Sequence, residues 1–331
     1  MLDERWPEDV AELSAGLRSL LEKACRTDVV RAAEASADGR DPTLEEKLDG
    51  FGLWELPQSG AMLSAASWEI GRALAPIPFP ECATVSGVLD IRGATCGIEG
   101  AVPVPPDQTV ILDAAGAVRL APVTARPRRT AAGDLLSEPP QAGAYPVVGE
   151  IEAGERLIAL ARLLHAARIA GAAERMLETG VEHAKQRTQF GKPIGSFQAV
   201  AQRLADAAIA LDGATLLVRK AAWVHDETRG SGSTSWAFGV MAWAKAVDAG
   251  RAIASAVHQV MGGYGFTVEE DTQLYSRRIR SWTMRLPSPG GELARLARLL
   301  LDGARRDLIG HLWQFDEGIP LPRWATETDA G

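Results

Sequence analysis

Cysteine is scarce in this chain. Cys25, Cys82 and Cys96 are the only three, scattered and odd in number, with no CxxC or Cys/His spacing. That excludes a disulfide framework and a thiolate metal site, and it fits reduced thiols in a cytoplasmic protein. The five histidines form no HExxH pattern, so a bound metal has no support from the sequence. GxSxG and GxxxxGK[ST] are also missing, which removes the main warrant for the common hydrolase and P-loop classes. Concentrated positive charge is lacking as well: the net charge is −8 and no polybasic run occurs. Nucleic acid is therefore a poor partner, because phosphate-backbone binding needs a basic surface. No window approaches the roughly 20 apolar residues that would span a bilayer. The opening "MLDERWPEDVAELS" is acidic and begins like a capped helix, unlike a signal peptide.

What is present is a globular composition, 46% hydrophobic and 24% charged over 331 residues, enough for two or three domains. Residues 3–75 read as helices, with apolar spacing of three and four in "DVAELSAGLRSLLEKACR" and again in "GAMLSAASWEIGRALA". The second of these is expected to run up to "PIPFP", whose prolines cannot continue it. Residues 80–150 change texture: "TVILDAAGAVRLAPV" alternates and breaks at Ala-Gly like a hairpin, and Gly and Pro are frequent beyond it. From about residue 153 the pattern is helical again. The expected helices cover 154–186, 196–228 with Ser196 as N-cap, a run from the flexible joint 229–235 to Met261, another from Val268, and a last over 291–308. Long helices joined by short loops argue for a bundle.

Two stretches stand out. "KQRTQFGKPIGSFQ" sets Lys185, Arg187 and Lys192 around a Phe-Gly pair at a helix junction. One reading makes Arg187 and Lys185 complements to the helix dipole, with Phe190 plugging the bundle end. "HQVMGGYGFTVEEDTQLYSRRIRSW" places Gly262, Gly263 and Gly265 past a helix end where one glycine would suffice, which suggests close approach of something to the backbone. Arg277 and Arg278 are expected to pair along the helix surface with Glu269, Glu270 and Asp271. Taken together, an Arg, an amide, an aromatic wall and a Gly-rich backbone are what a dinucleotide pyrophosphate and adenosine need, without the strand–GxGxxG–helix setting of a Rossmann site.

"RTQFGKPIGSFQAVAQRLAD" and "QVMGGYGFTVEEDTQLYSRR" resemble the two signature stretches of the acyl-CoA dehydrogenase family, and "WEIGRALAPIPFP" resembles that family's N-terminal helical domain. The likeness is strongest over 154–285. It implies a mainly α fold with a small β region: an N-terminal helical domain (1–79), a reduced middle β domain (80–150) and a C-terminal four-helix bundle (151–331). It also implies FAD and an acyl-CoA substrate. By position, Arg187, Gln189 and Phe190 would touch the pyrophosphate and adenosine of a flavin held by a neighbouring subunit. Gln198, Gln259, Gly262 and Gly263 would line the same flavin. Arg162 matches a family arginine near the acyl-CoA; as a helix-surface residue it is expected to pair with Glu155.

The resemblance fails at the catalytic base. A general base must reach the α-proton of the thioester, and in the family it is a Glu that falls here at Leu286, or in a minority branch at Ala161. Neither position holds a carboxylate, and Glu292 is the nearest substitute. The middle region is short and lacks the Thr/Ser-rich wall of the flavin ring. This pattern resembles the heteromeric α2β2 branch found in actinobacterial steroid degradation. The expectation is thus a subunit that donates FAD contacts in trans while a second acyl-CoA dehydrogenase-like subunit supplies the base. Two alternatives stand beside it: a self-sufficient homo-oligomeric dehydrogenase using Glu292, and a flavin-free scaffold.

Overall fold

The computed structural model of the chain describes residues 5–98, 102–103, 108–138, 140 and 145–301. Five helices open it: α1 (Glu8–Ala24), α2 (Thr27–Ala35), α3 (Pro42–Gly50), α4 (Gly60–Arg72) and α5 (Phe79–Leu89). Small and apolar residues surround α4 on every side, and Leu63 through Gly71 are all buried, as a helix without a polar face must be. Its one deep carboxylate, Glu69, accepts two bonds from Arg18 (2.8 and 2.9 Å) and one from Ser14 Oγ (2.6 Å). A buried charge held this fully no longer lacks the hydrogen bonds that water gave it.

The middle region is two small sheets. β1 (Ala94–Gly97), β3 (Gln108–Leu112), β4 (Val118–Pro122) and β7 (Val147–Gly149) form one, in the order β1-β3-β4-β7, with β1 and β3 parallel and the other pairs antiparallel. β2 (Val102–Pro103), β6 (Leu135–Ser137) and β5 (Arg128–Arg129) form the second, antiparallel throughout. The β3–β4 hairpin turns where the alternation breaks: Asp113 Oδ1 accepts from the amides of Ala115 and Ala117, and Gly116 takes φ +91°.

The bundle is built on α6 (Ile151–Gln186), α7 (Gln198–Thr228) and α8 (Gly232–Met261). A minimal hairpin of β8 (Thr188–Gln189) and β9 (Lys192–Pro193) lies between α6 and α7. A short 3₁₀ turn (Gly262–Phe266), α9 (Thr272–Trp282) and α10 (Pro289–Leu301) complete the described residues. The long α6 runs through the core, its middle mostly Ala, Leu and Ile and buried from Ala159 to Ala173. It crosses α4 at two glycines. A Cβ on Gly71 would lie 2.0 Å from the Arg168 carbonyl oxygen, and a Cβ on Gly171 would lie 2.0 Å from that of Trp68. At the far end of α4, the Asp226 carboxylate of α7 accepts from Ser59 Oγ (2.9 Å) and the amides of Gly60 (2.5 Å) and Ala61 (3.1 Å), so one helix caps another.

Several expected boundaries move. α4 ends at Arg72, well before "PIPFP", because Leu74 enters the left-handed region (φ +52°). The amides of Leu74 and Ala75 then bond the carbonyls of Gly71 and Ile70, a Schellman ending. A helix, α5, begins at Phe79, with Pro80 in its first turn, where no amide is required. Ser196 is not an N-cap: its hydroxyl donates to the Pro193 carbonyl (2.7 Å), and α7 begins after Phe197 with no side-chain cap. The joint before α8 is only Arg229–Ser231, for α8 starts at Gly232. The fourth bundle segment begins at Thr272 rather than Val268, and the expected helix end at 308 lies outside the described residues.

Gly171→Ala drives a methyl group into a backbone carbonyl that cannot rotate away. The expected loss is about 1–3 kcal/mol, read as a lower urea midpoint at unchanged slope. A wild-type midpoint would mean that the two helices separate freely at this crossing.

Candidate cofactor site and a closed interior

The first signature stretch is exposed. Arg187, Gln189, Phe190 and Gln198 are all solvent-accessible, and Phe190 at the hairpin tip is 92% exposed. The expected plug of the bundle end is therefore not there. Phe190 and Gly191 take φ +52° and +80°, the consecutive positive values of a primed hairpin turn. For Phe190 that conformation costs about 1–2 kcal/mol, yet the loop holds it. The Ile194 amide bonds the Arg187 carbonyl (2.8 Å), Phe190 packs edge-on to Phe197 (6.1 Å), and Lys192 Nζ lies over the Phe197 ring (4.4 Å). Among the described residues the Arg187 guanidinium has neither an ion pair nor a hydrogen bond.

The second stretch lies beside the first, joined by the stacking of His183 in the last turn of α6 on Tyr264 (6.2 Å). Gln259 and Gly262 line a cleft of about 920 Å³ between α8 and α9, with Arg251, Arg277 and Arg280 in its walls. The hairpin residues do not line this cleft; they project next to it. Gly262 needs its glycine, at φ +61°. At Gly265 a Cβ would press on that of Met261 at 3.0 Å. Gly263 is not so constrained: a Cβ there would meet open space at an ordinary backbone conformation. Within the cleft His258 Nε2 pairs with Ser276 Oγ (2.8 Å) under a stacked Phe266 (4.3 Å), and burial pushes its pKa down.

The positions matching a family base are buried and apolar. Ala161 is fully enclosed and Leu286 nearly so. Arg162 does not pair with Glu155, which lies two helical turns away, about 10.5 Å along the axis. It pairs instead with Glu292 of α10, both buried, and lies over the Trp236 ring (5.5 Å). Glu292 thus meets a cation rather than an open pocket, and it lines none of the three cavities described here.

One turn along α6 from Arg162 the interior holds a charge cluster that the sequence reading missed. Arg168 donates to Glu81 (3.1 and 3.3 Å) and to His165 Nδ1 (2.9 Å), and its guanidinium covers the Trp282 ring (4.5 Å). Asp134 is paired with Arg278 (3.3 Å) and Arg285 (3.2 Å) and accepts from Ser281 (2.6 Å). Arg277 and Arg278 reach Glu34, at 3.1 and 2.9 Å, and not the acids Glu269 to Asp271. Asp271 instead holds Arg31 (3.0 Å) and Thr27 (2.8 Å). The cavity among Glu81, Asp134, Arg168 and Arg285 measures about 60 Å³. That is room for a few waters, and far below the 300 Å³ or so of a small-ligand site. The legible signal was His165 and Arg168 at i, i+3 within the otherwise apolar stretch Leu163 to Ala173 of α6. A second cleft, of about 300 Å³, lies between Arg18 and Tyr275.

Burial pushes Glu81 up, but Arg168 foremost and Arg285 outweigh it and hold the carboxyl at about 2, below its ordinary 4.5. Burial, aided by Arg168, lowers His165 from 6.5 to about 3, so the ring is neutral and Nδ1 accepts. Both folded values lie below the unfolded ones, so both contributions are full at high pH and are lost on acidification. The window for His165 is pH 6.5 to 3 and that for Glu81 is 4.5 to 2. The urea midpoint should fall between pH 6.5 and 4.5, and His165→Gln should flatten that part of the profile while leaving the fall below 4.5. Burial also lowers His225 and His258, so some slope remains. An unchanged slope in the variant would remove His165 as its source.

A family description, acyl-CoA dehydrogenase, C-terminal domain, matches residues 152–285. The acyl-CoA dehydrogenase IpdE2 of Mycolicibacterium smegmatis is 32% identical over 307 residues, which cover 84% of this chain and 94% of that protein. The acyl-CoA dehydrogenase FadE34 of Mycobacterium tuberculosis is 40% identical over 155 residues, 47% of this chain and 22% of its own length. Among solved structures, the ChsE4-ChsE5 complex from Mycobacterium tuberculosis aligns with 91% of this chain and 99% of that one, at TM-score 0.77 and 23% identity. The Tcur3481-Tcur3483 steroid ACAD variant aligns at TM-score 0.80 and 21% identity, over 90% of this chain and 99% of that one. These two likenesses are of fold.

Proposed function

The chain belongs to the acyl-CoA dehydrogenase family, and within it we propose a subunit of a heteromeric FAD-dependent enzyme that lends flavin contacts to its partner. The observation that carries this reading is a contrast. The cofactor-type residues are turned outward while the positions for a base are sealed inside. Arg187, an unpaired cation among the described residues, with the exposed Phe190, the amide of Gln259 and the bare backbone of Gly262 and Gly263, suits the pyrophosphate and adenosine end of FAD. Gln189 and Gln198 flank the same surface.

Bound FAD supplies the hydride acceptor for α,β-dehydrogenation of an acyl-CoA. This chain's residues hold and orient the nucleotide end; the partner supplies the ring pocket and the base. Arg162, held by Glu292, shapes the interior rather than holding CoA. The solved neighbours support the heteromeric part, since one is described as a complex of two chains and another as a steroid ACAD. A steroid side-chain thioester is accordingly the candidate substrate, and two copies of each chain the candidate assembly. The division at 79/80 and 150/151 belongs to the same reading.

The test is an absorbance spectrum of the chain expressed alone and with a candidate acyl-CoA dehydrogenase-like partner. Flavin absorbance only in the co-purified complex, near one FAD per pair of chains, is the expected result. Arg187→Ala should lower the flavin retained on gel filtration at least tenfold, the loss of about 1.5–3 kcal/mol for a hydrogen bond to a charged group. A yellow, active chain on its own would sink the proposal.

A second reading has one observation behind it: Glu292 is a carboxylate held beside the α6 segment that carries the alternative base position, through Arg162. Glu292→Gln keeps the shape and a partner for Arg162. In the complex it should leave turnover within about threefold, whereas removal of a general base costs about 10²–10⁴ in rate. A loss of the second size would make Glu292 the base.

A further inference from the structure

The cleft of about 300 Å³ between α1, α4, α6 and α9 plays no part in the functional reading. Its lining gathers four arginines, Arg18, Arg26, Arg72 and Arg175, in a chain whose net charge is −8. Three carboxylates share that lining, and two of them are already occupied. Glu69 accepts from Arg18 and Ser14, and Asp271 accepts from Arg31 and Thr27. Glu22, the third, is exposed.

The donors are not occupied to the same extent. A guanidinium carries five N–H groups in one plane and accepts nothing. Arg18 commits Nε and Nη2 to Glu69, and Arg72 commits Nη1 and Nη2 to Glu174 and Glu178. Arg175 bonds Glu178 through Nη1 (3.2 Å). Arg26 has neither an ion pair nor a hydrogen bond among the described residues. The cleft therefore has donors to spare and is short of acceptors, which suits an oxyanion. Its arginines come from α1, the α1–α2 link, α4 and α6, so they approach from several directions. A carboxylate offers two oxygens in one plane, whereas a phosphoryl group offers three around a tetrahedron and can meet all of them. The volume stands at the lower end of small-ligand sites and is too large for a bare ion. Leu21, Ala73 and the buried Tyr275, whose hydroxyl already donates to the Arg72 carbonyl (3.0 Å), give an organic body a surface to rest on. We infer that this cleft binds an organic phosphate of about mononucleotide size, its phosphoryl oxygens held by Arg18, Arg26 and Arg175. It shares no lining residue with the α8–α9 cleft, so the inference does not rest on the flavin reading.

The test is calorimetric titration of the chain, or of its co-purified complex, with AMP, inorganic phosphate and adenosine. AMP should bind at least tenfold more tightly than inorganic phosphate, and adenosine should not bind. Arg26→Ala breaks no bond within the described fold, and it should weaken AMP at least tenfold, the worth of one hydrogen bond to a charged group. Arg175→Ala should act in the same direction, while Arg187→Ala should leave AMP binding unchanged. Inorganic phosphate binding as tightly as AMP would mean a site for the bare ion and overturn the proposal. Absence of AMP binding, or wild-type affinity in Arg26→Ala, would overturn it as well. A loss of AMP in Arg187→Ala instead would move the ligand to the cofactor surface and have the same effect.

Discussion

The contact on which everything else rests is the crossing of α4 and α6 at Gly71 and Gly171. Each glycine lets the opposite backbone come closer than any side chain would permit. With the two helices at that distance, Trp68 reaches Glu174 through its indole nitrogen (3.0 Å), and Arg72 bonds Glu174 and Glu178. Arg168, one turn from Gly171, is thereby set in the interior facing Glu81 of α5. The N-terminal helices, the long core helix and the charge cluster are thus positioned by two missing methyl groups.

From this follows the division between inside and outside. The interior around α6 is occupied: cations and carboxylates neutralise one another, and their guanidinium planes lie on Trp282 and Trp236. Such clusters are weak sources of stability, since desolvation offsets much of their attraction. Their effect here is to fill space that would otherwise be open, leaving a cavity of about 60 Å³, too small for a ligand of ordinary size. The two signature stretches, by contrast, lie at the surface, on a tight hairpin and a glycine-rich helix end.

The sequence announced much of this, unevenly. Helical periodicity and the β3–β4 alternation were legible because they are local. The two glycine-rich and Arg-Phe-Gly stretches were legible as a pair, and the structure brings them side by side through His183 and Tyr264. Partner choice was not legible. Arg162 selects Glu292, 130 positions away, and Arg278 selects Glu34 and Asp134, because tertiary packing decides which opposite charge is near. Ser196 looked like a cap and is spent on a turn, since a serine hydroxyl serves either use equally well. Phe190 looked buried because phenylalanine usually is.

That last residue carries a conflict between durability and use. An aromatic side chain in the left-handed region, 92% exposed, has only its edge contact with Phe197 to set against the strain of its backbone. Glycine at this position would relieve the backbone and make the isolated subunit sturdier. A search for more stable versions of this protein would therefore converge on Phe190 early, and on the proposed reading the sturdier subunit would be the poorer collaborator.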